Sequence, residues 1–139
     1  MKVKCDKEGI IKASKITKHG GIVIFPTDTV YGIGCDPYNK EAVQRIYKIK
    51  SRLISKQLPI LALSKDIAAK IVEFDKDSEK IANKIWPGPV TLILKLKDKK
   101  LKASLNADDK IAIRVPRHQC TLDLLNKCNF IIGTSADIS

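Results

Sequence analysis

Four short apolar runs, Ile22-Val23-Ile24-Phe25, Ile60-Leu61-Ala62-Leu63, Ile111-Ala112-Ile113-Arg114-Val115 and Phe130-Ile131-Ile132, are separated by longer stretches of helical spacing. Runs of this length are too short for buried helices and read as strands covered on both faces. Strands of that kind interleaved with helices predict an α/β domain, with a twisted, mixed sheet flanked by helices.

The helical stretches carry their own start and stop signals. Asp6 is placed to cap a helix over 7–18, with Ile10, Ser14 and Thr17 on one face and Gly20-Gly21 beyond its end. Asn39 caps a second, whose Ala42, Val43, Ile46 and Tyr47 form one apolar stripe. Ser64 opens a short helix through Val72. Another runs from about Asp77 to Trp86, with Ile81, Ala82 and Ile85 facing inward, and Pro87-Gly88-Pro89 ends it. A strand follows over Val90 to Leu96, and Leu122 to Leu125 belongs to a last helix.

The chain of 139 residues shows no repeat, low-complexity linker or composition break, so it reads as one domain over 1–139. No apolar run is long enough to span a membrane, and the charged start lacks the apolar stretch of an export signal. A soluble, cytoplasmic protein is expected. Cys5, Cys35, Cys120 and Cys128 include no C-x-x-C pair, and neither His19 nor His118 stands at zinc-ligand spacing, so buried reduced thiols are expected and no metal site. The formal charge of +11 favours an anionic partner, a nucleotide or RNA. Lysine-rich composition by itself also arises without any ligand.

Five segments carry chemistry. Phe25-Pro26-Thr27-Asp28-Thr29-Val30-Tyr31-Gly32-Ile33-Gly34 leaves a buried strand at its end, where α/β domains place ligands. By itself it reads as a strand-to-helix turn whose hydroxyls bond backbone. Lys50-Ser51-Arg52-Leu53-Ile54-Ser55-Lys56 puts three cations past a helix end, and in an extended chain all three share one side, able to meet one polyanion. A solvated basic run complementing the helix C-terminus is the plainer reading. Trp86-Pro87-Gly88-Pro89-Val90-Thr91 fixes a rigid corner, with Trp86 in the core and Thr91 able to face a site. Arg114 stands inside an apolar strand, where arginine calls for an anion, either a ligand or a side chain such as Asp28. Gly133-Thr134-Ser135-Ala136-Asp137 follows the last strand with small residues that let a ligand approach the backbone.

In order, these read P-T-D-T-V-Y-G-x-G, K-x-R-x-x-x-K, W-P-G-P-V-T, R-V-P and T-S-A. From about Gly20 onward the chain resembles the YrdC-like threonylcarbamoyl-adenylate synthases. The resemblance implies a nucleotidyltransferase that joins L-threonine, bicarbonate or carbon dioxide, and ATP into threonylcarbamoyl-adenylate with release of pyrophosphate. A downstream transferase then modifies tRNA with the product. It also implies a concave basic surface and magnesium carried on the triphosphate.

By that resemblance Thr27, Tyr31, Thr91, Arg114 and Ser135 bind threonine, and Lys50, Arg52, Lys56, Ser135 and Asp137 bind ATP, with Lys50 and Arg52 catalytic. No enzyme nucleophile is needed, because the carbamate of threonine itself attacks the α-phosphate. An RNA-binding module of the same fold, taking tRNA or double-stranded RNA without completing the reaction, is the alternative. Three departures stand out. Leu53 and Gln57 replace prolines usual in the family, and Asp137 replaces an asparagine, exchanging a possible donor for an acceptor. The resemblance also implies that the domain is incomplete at its carboxyl end.

Overall fold

The structure, a computed structural model, describes residues 2–26, 31–50 and 58–135. The elements among them run α1 (Lys7–Lys18), β1 (Val23–Pro26), β2 (Tyr31–Cys35), α2 (Lys40–Ile49), β3 (Ile60–Ala62), α3 (Lys65–Ala68), β4 (Val72–Glu73), α4 (Lys76–Ile85), β5 (Leu92–Leu96), α5 (Lys99–Leu105), β6 (Lys110–Arg114), α6 (Gln119–Cys128) and β7 (Phe130–Ser135). The seven strands form one sheet in the order β1-β2-β7-β3-β6-β5-β4. It is mixed: β3 and β6 run parallel, and the other neighbouring pairs are antiparallel.

Period-two alternation splits the apolar residues between two layers. Ile60, Ile113 and Ile132 point into a core shared with Val43, Ile46 and Tyr47 of α2, Leu101 of α5 and Trp86. Their neighbours Leu61 and Ile131 point the other way, against Ile10 and Ala13 of α1 and Leu124 and Leu125 of α6. Helices α1 and α6 thus cover the β1-β2-β7-β3 half of one face. On the remaining half of that face Ile93, Lys95 and Lys110 are exposed.

Helix starts fall where capping residues stand. Asp6 accepts from Gly9 N at 2.7 Å, Asn39 from Ala42 N at 2.9 Å and Ser64 from Ile67 N at 3.1 Å. Elsewhere the structure departs from the sequence reading. The helix opened by Ser64 ends at Ala68, and the chain turns into the edge strand β4 instead of continuing to Val72. Ile81 lies 47% exposed, because α4 packs through Ala82 and Ile85 alone. No helix among the described residues is long and apolar enough to cross a membrane.

The expectation of reduced thiols fails at one pair: Cys5 and Cys120 form a disulfide, with Cα atoms 5.4 Å apart. Packing α1 beside α6 on one sheet face brings the residue before the α1 cap next to the first turn of α6, a proximity that 115 residues of separation conceal. On a chain-entropy model, closing a loop of that length stabilises by about 4 to 5 kcal/mol. Cys35 and Cys128 remain thiols, each pushed up to about 12, chiefly by burial with a further contribution from Asp36.

Candidate functional site

Pro26 at the end of β1 pairs with Tyr31 at the start of β2. The segment read locally as a strand-to-helix turn therefore joins two antiparallel strands. Thr27 and Asp28, in that connection, lie outside the described residues. In the strand Y-G-I-G-C, Gly34 lets its neighbours close in. A Cβ on Gly34 would stand 2.6 Å from Ile131 Cγ2 and 2.8 Å from Phe25 Cε1, closer than real contacts allow. Tyr31 is 47% exposed, and the Lys2 ammonium sits over its ring, 4.5 Å from the centroid.

Strand β7 pairs along β2, placing Ser135 opposite Gly32. The last motif is thereby set beside the first, although about a hundred residues separate them. Gly133 N in turn donates to Pro59 O at 3.1 Å, just ahead of β3, so the chain leaving the basic segment enters the sheet at this same end. A Cβ on Gly133 would come within 2.6 Å of Leu61 Cδ1, which explains a glycine there.

The basic segment is held at both flanks. Lys50 is the C-terminal cap of α2, with helical backbone (φ −82°, ψ −1°) and a buried side chain. It is not the extended, surface lysine that the alternating spacing suggested, because the last turn of α2 continues through it. On the far side, Leu58 N donates to Tyr47 Oη at 3.1 Å in a buried contact. Arg52 and Lys56 lie outside the described residues, as does Asp137.

Arg114, half-buried at the end of β6, lies level with Leu61 of β3 and Ile131 of β7. The pairing of Leu92 with Ile113, extended by one residue, brings the exposed Thr91 opposite Arg114. The Trp86–Pro87 bond is cis. The corner that delivers Thr91 is held by Trp86, whose Nε1 donates to Val90 O at 2.8 Å and whose ring meets Phe74 edge-on at 6.1 Å. Gly88 N donates to Val115 O at 2.9 Å, binding the W-P-G-P corner to the R-V-P segment. Strand spacings place the Cα atoms of Arg114 and Ser135 about 16 Å apart in a flat sheet, and less where the sheet curves. Gly32 and Ser135 thus mark one end of a shelf in the sheet, and Thr91 with Arg114 marks the other.

Thr121 was not singled out from sequence. It is buried on α6, and its hydroxyl donates to Pro26 O at 2.8 Å, fixing the first residue of the P-T-D-T-V-Y-G motif. No cluster of three or more metal-ligating side chains occurs among the described residues.

The Sua5/YciO/YrdC family model, described as telomere recombination, matches residues 15–139. The chain belongs to this family. A threonylcarbamoyl-AMP synthase from Hydrogenovibrio crunogenus is 32% identical over 99% of the chain and 76% of its own length. One from Pseudomonas paraeruginosa is 32% identical over 90% of the chain and 68% of its own. The crystal structure of Pyrococcus abyssi Sua5 complexed with L-threonine superposes with a TM-score of 0.85 at 30% identity. It covers all of this chain, which spans 42% of that one. The mixed seven-stranded sheet is therefore the fold of the family.

Proposed function

We propose that this chain makes L-threonylcarbamoyladenylate from L-threonine, bicarbonate or carbon dioxide, and ATP, for threonylcarbamoyladenosine modification of tRNA. The observation that carries this reading is the register that sets Ser135 opposite Gly32, so that the T-S-A and P-T-D-T-V-Y-G segments meet at one end of the sheet. Family membership and relatives named threonylcarbamoyl-AMP synthase support it.

In the reaction the threonine amine adds to carbon dioxide to form a carbamate. A carbamate oxygen attacks the α-phosphorus of ATP, and the bond to the bridging oxygen breaks with pyrophosphate leaving. Catalysis then rests on positioning and charge neutralisation, since the attacking group belongs to the substrate. Arg114 presents a planar fork of donors suited to the threonine carboxylate. Thr27, Tyr31, Thr91 and Ser135 shape the rest of the amino-acid pocket. Lys50, Arg52 and Lys56 hold phosphate and carbamate oxygens, with Lys50 and Arg52 offsetting charge that builds in the transition state. Ser135 and Asp137 are assigned to the nucleotide. ATP enters as its magnesium complex, and the product passes to a threonylcarbamoyl-transferase in the cytoplasm.

Pyrophosphate release tests the proposal. It should require threonine and bicarbonate together with ATP, and serine should be poorer by the worth of one methyl group, about 1 to 3 kcal/mol. Tight tRNA binding without any pyrophosphate would replace this reading with that of an RNA-binding module.

A further inference from the structure

The Cys5–Cys120 bond has one exposed and one buried end. Cys5 lies at the surface, beside a groove of about 300 Å³ lined by Asp6, Lys7, Asp123 and Asn126, whereas Cys120 is buried. An incoming thiolate therefore meets the Cys5 sulfur first. The sulfur that would depart, that of Cys120, lies in the first turn of α6, where the helix dipole favours negative charge. Attack at the accessible end and departure at a helix N-terminus both favour exchange, the helix end offsetting the burial of Cys120. The remaining thiols, Cys35 and Cys128, are held protonated by burial and offer little competing thiolate.

What the bond holds together lies at the candidate site. On the Cys5 side, residues 2 and 3 add a short parallel bridge to β1: Val3 N donates to Ile24 O at 2.7 Å, and this places Lys2 over the Tyr31 ring. On the Cys120 side, the next residue, Thr121, bonds Pro26 O. Pro26 and Tyr31, both in the first motif, are a register pair. One covalent link thus ties together the two contacts that fix this end of the hairpin.

We propose that Cys5 is a thiol-exchange site, and that a low-molecular-weight thiol opening the disulfide there loosens the Lys2–Tyr31 contact and weakens amino-acid binding. The external thiolate attacks the Cys5 sulfur and forms a mixed disulfide, while the Cys5–Cys120 bond breaks and its electron pair leaves on Cys120. A second thiol then attacks the sulfur of the first, freeing Cys5 and releasing the oxidised thiol dimer. The link to threonine rests on the function proposed above; the exchange itself does not.

The test uses the full chain, purified without reductant and incubated with reduced glutathione. Alkylation and peptide mass analysis should find a newly alkylated Cys120 with Cys5 carrying glutathione at low thiol and itself alkylated at high thiol, and with Cys35 and Cys128 unchanged. Threonine titration should show affinity falling about two- to fivefold on opening, the worth of an exposed cation–π contact. Cys5→Ser should match the opened wild type and ignore glutathione. Free Cys5 and Cys120 in the untreated protein, or glutathione appearing on Cys120, would overturn the exchange site. Equal threonine affinity in the closed, opened and Cys5→Ser forms would overturn the coupling. If no form binds threonine, the proposed function fails and the coupling with it, while the alkylation pattern still decides the exchange.

Discussion

The Thr121 hydroxyl donates to the Pro26 carbonyl at 2.8 Å, joining the first turn of α6 to the last residue of β1 across 95 positions of sequence. Thr121 is 1% exposed, so no water can take over the bond if the hydroxyl is removed. Thr121→Val keeps the shape and deletes the donor. The carbonyl left unpaired should cost about 1 to 3 kcal/mol, read as a lower urea midpoint with unchanged slope. Threonine KM should rise more than kcat falls, because Pro26 leads into Thr27 and pairs with Tyr31, both assigned to threonine. Thr121→Ser, which restores the donor, should recover both.

Tyr47 does the corresponding work for the basic segment. Its hydroxyl accepts from Leu58 N at 3.1 Å, while the last turn of the same helix ends in Lys50, so α2 holds both flanks of residues 51–57. Tyr47→Phe preserves the ring in the core and leaves a buried N–H without that acceptor. ATP affinity measured by titration should fall, with threonine affinity changed less. Loss of threonine binding alone would contradict this assignment.

The parts of this fold that were legible in sequence are those set by local chemistry. Asp6, Asn39 and Ser64 cap helices where their side chains allow it, and the stripe of Ala42, Val43, Ile46 and Tyr47 is buried as its spacing requires. What escaped depends on contacts remote in sequence. Tyr31–Cys35 has no strand-like alternation, and its Gly34 is explained only by Phe25 and Ile131 pressing against it. Helix α5 was missed despite the Asp98 cap and the i, i+4 pair Leu101 and Leu105, because seven lysine-rich residues resemble a solvated loop. The Cys5–Cys120 pairing and the Thr121–Pro26 bond carry no local signal at all. Of the site, the motifs were readable, whereas the side-by-side placement of the first and last needed the register of β2 with β7.

Asp98 supplies a pH-dependent clasp on the core side. Its Oδ1 accepts from Leu101 N at 3.0 Å as the cap of α5, and its Oδ2 accepts the Tyr38 hydroxyl at 2.6 Å. Burial pushes the Asp98 carboxyl up, but the Tyr38 hydroxyl and the Leu101 and Lys100 N–H groups together outweigh it and hold the group below its ordinary value. Burial, with the hydrogen bond and charge of Asp98, pushes the Tyr38 phenol well above the ordinary tyrosine range. A depressed carboxyl stabilises the fold fully above its unfolded value of about 3.9, and that contribution fades as pH falls through the folded value. The raised phenol gives the mirror result, with its contribution present below about 10 and lost as pH rises through the folded value. Asp98→Ala should cost about 1 kcal/mol near neutrality, chiefly as a lost cap. Urea melts of both forms at neutral and strongly acid pH should show the gap closing in acid.

Arg114 is the side chain on which the amino-acid reading most depends. It ends β6 level with Leu61, with Thr91 opposite, and the Trp86 corner fixes that neighbour in place through Gly88 N and Val115 O. If its guanidinium grips the threonine carboxylate, the grip is bidentate, and a lysine that keeps the charge cannot reproduce it. Charge-assisted bonds of this kind are worth about 1.5 to 3 kcal/mol, so Arg114→Lys should weaken threonine binding by about tenfold or more. ATP affinity should change less, since no phosphate contact is assigned to Arg114. Titrations of each ligand with wild type, Arg114→Lys and Arg114→Met separate the outcomes. Lysine matching wild type would mean that charge alone suffices. A loss of stability in both variants with threonine affinity intact would instead make Arg114 a structural ion-pair residue, and the carboxylate partner would have to be sought elsewhere on the shelf.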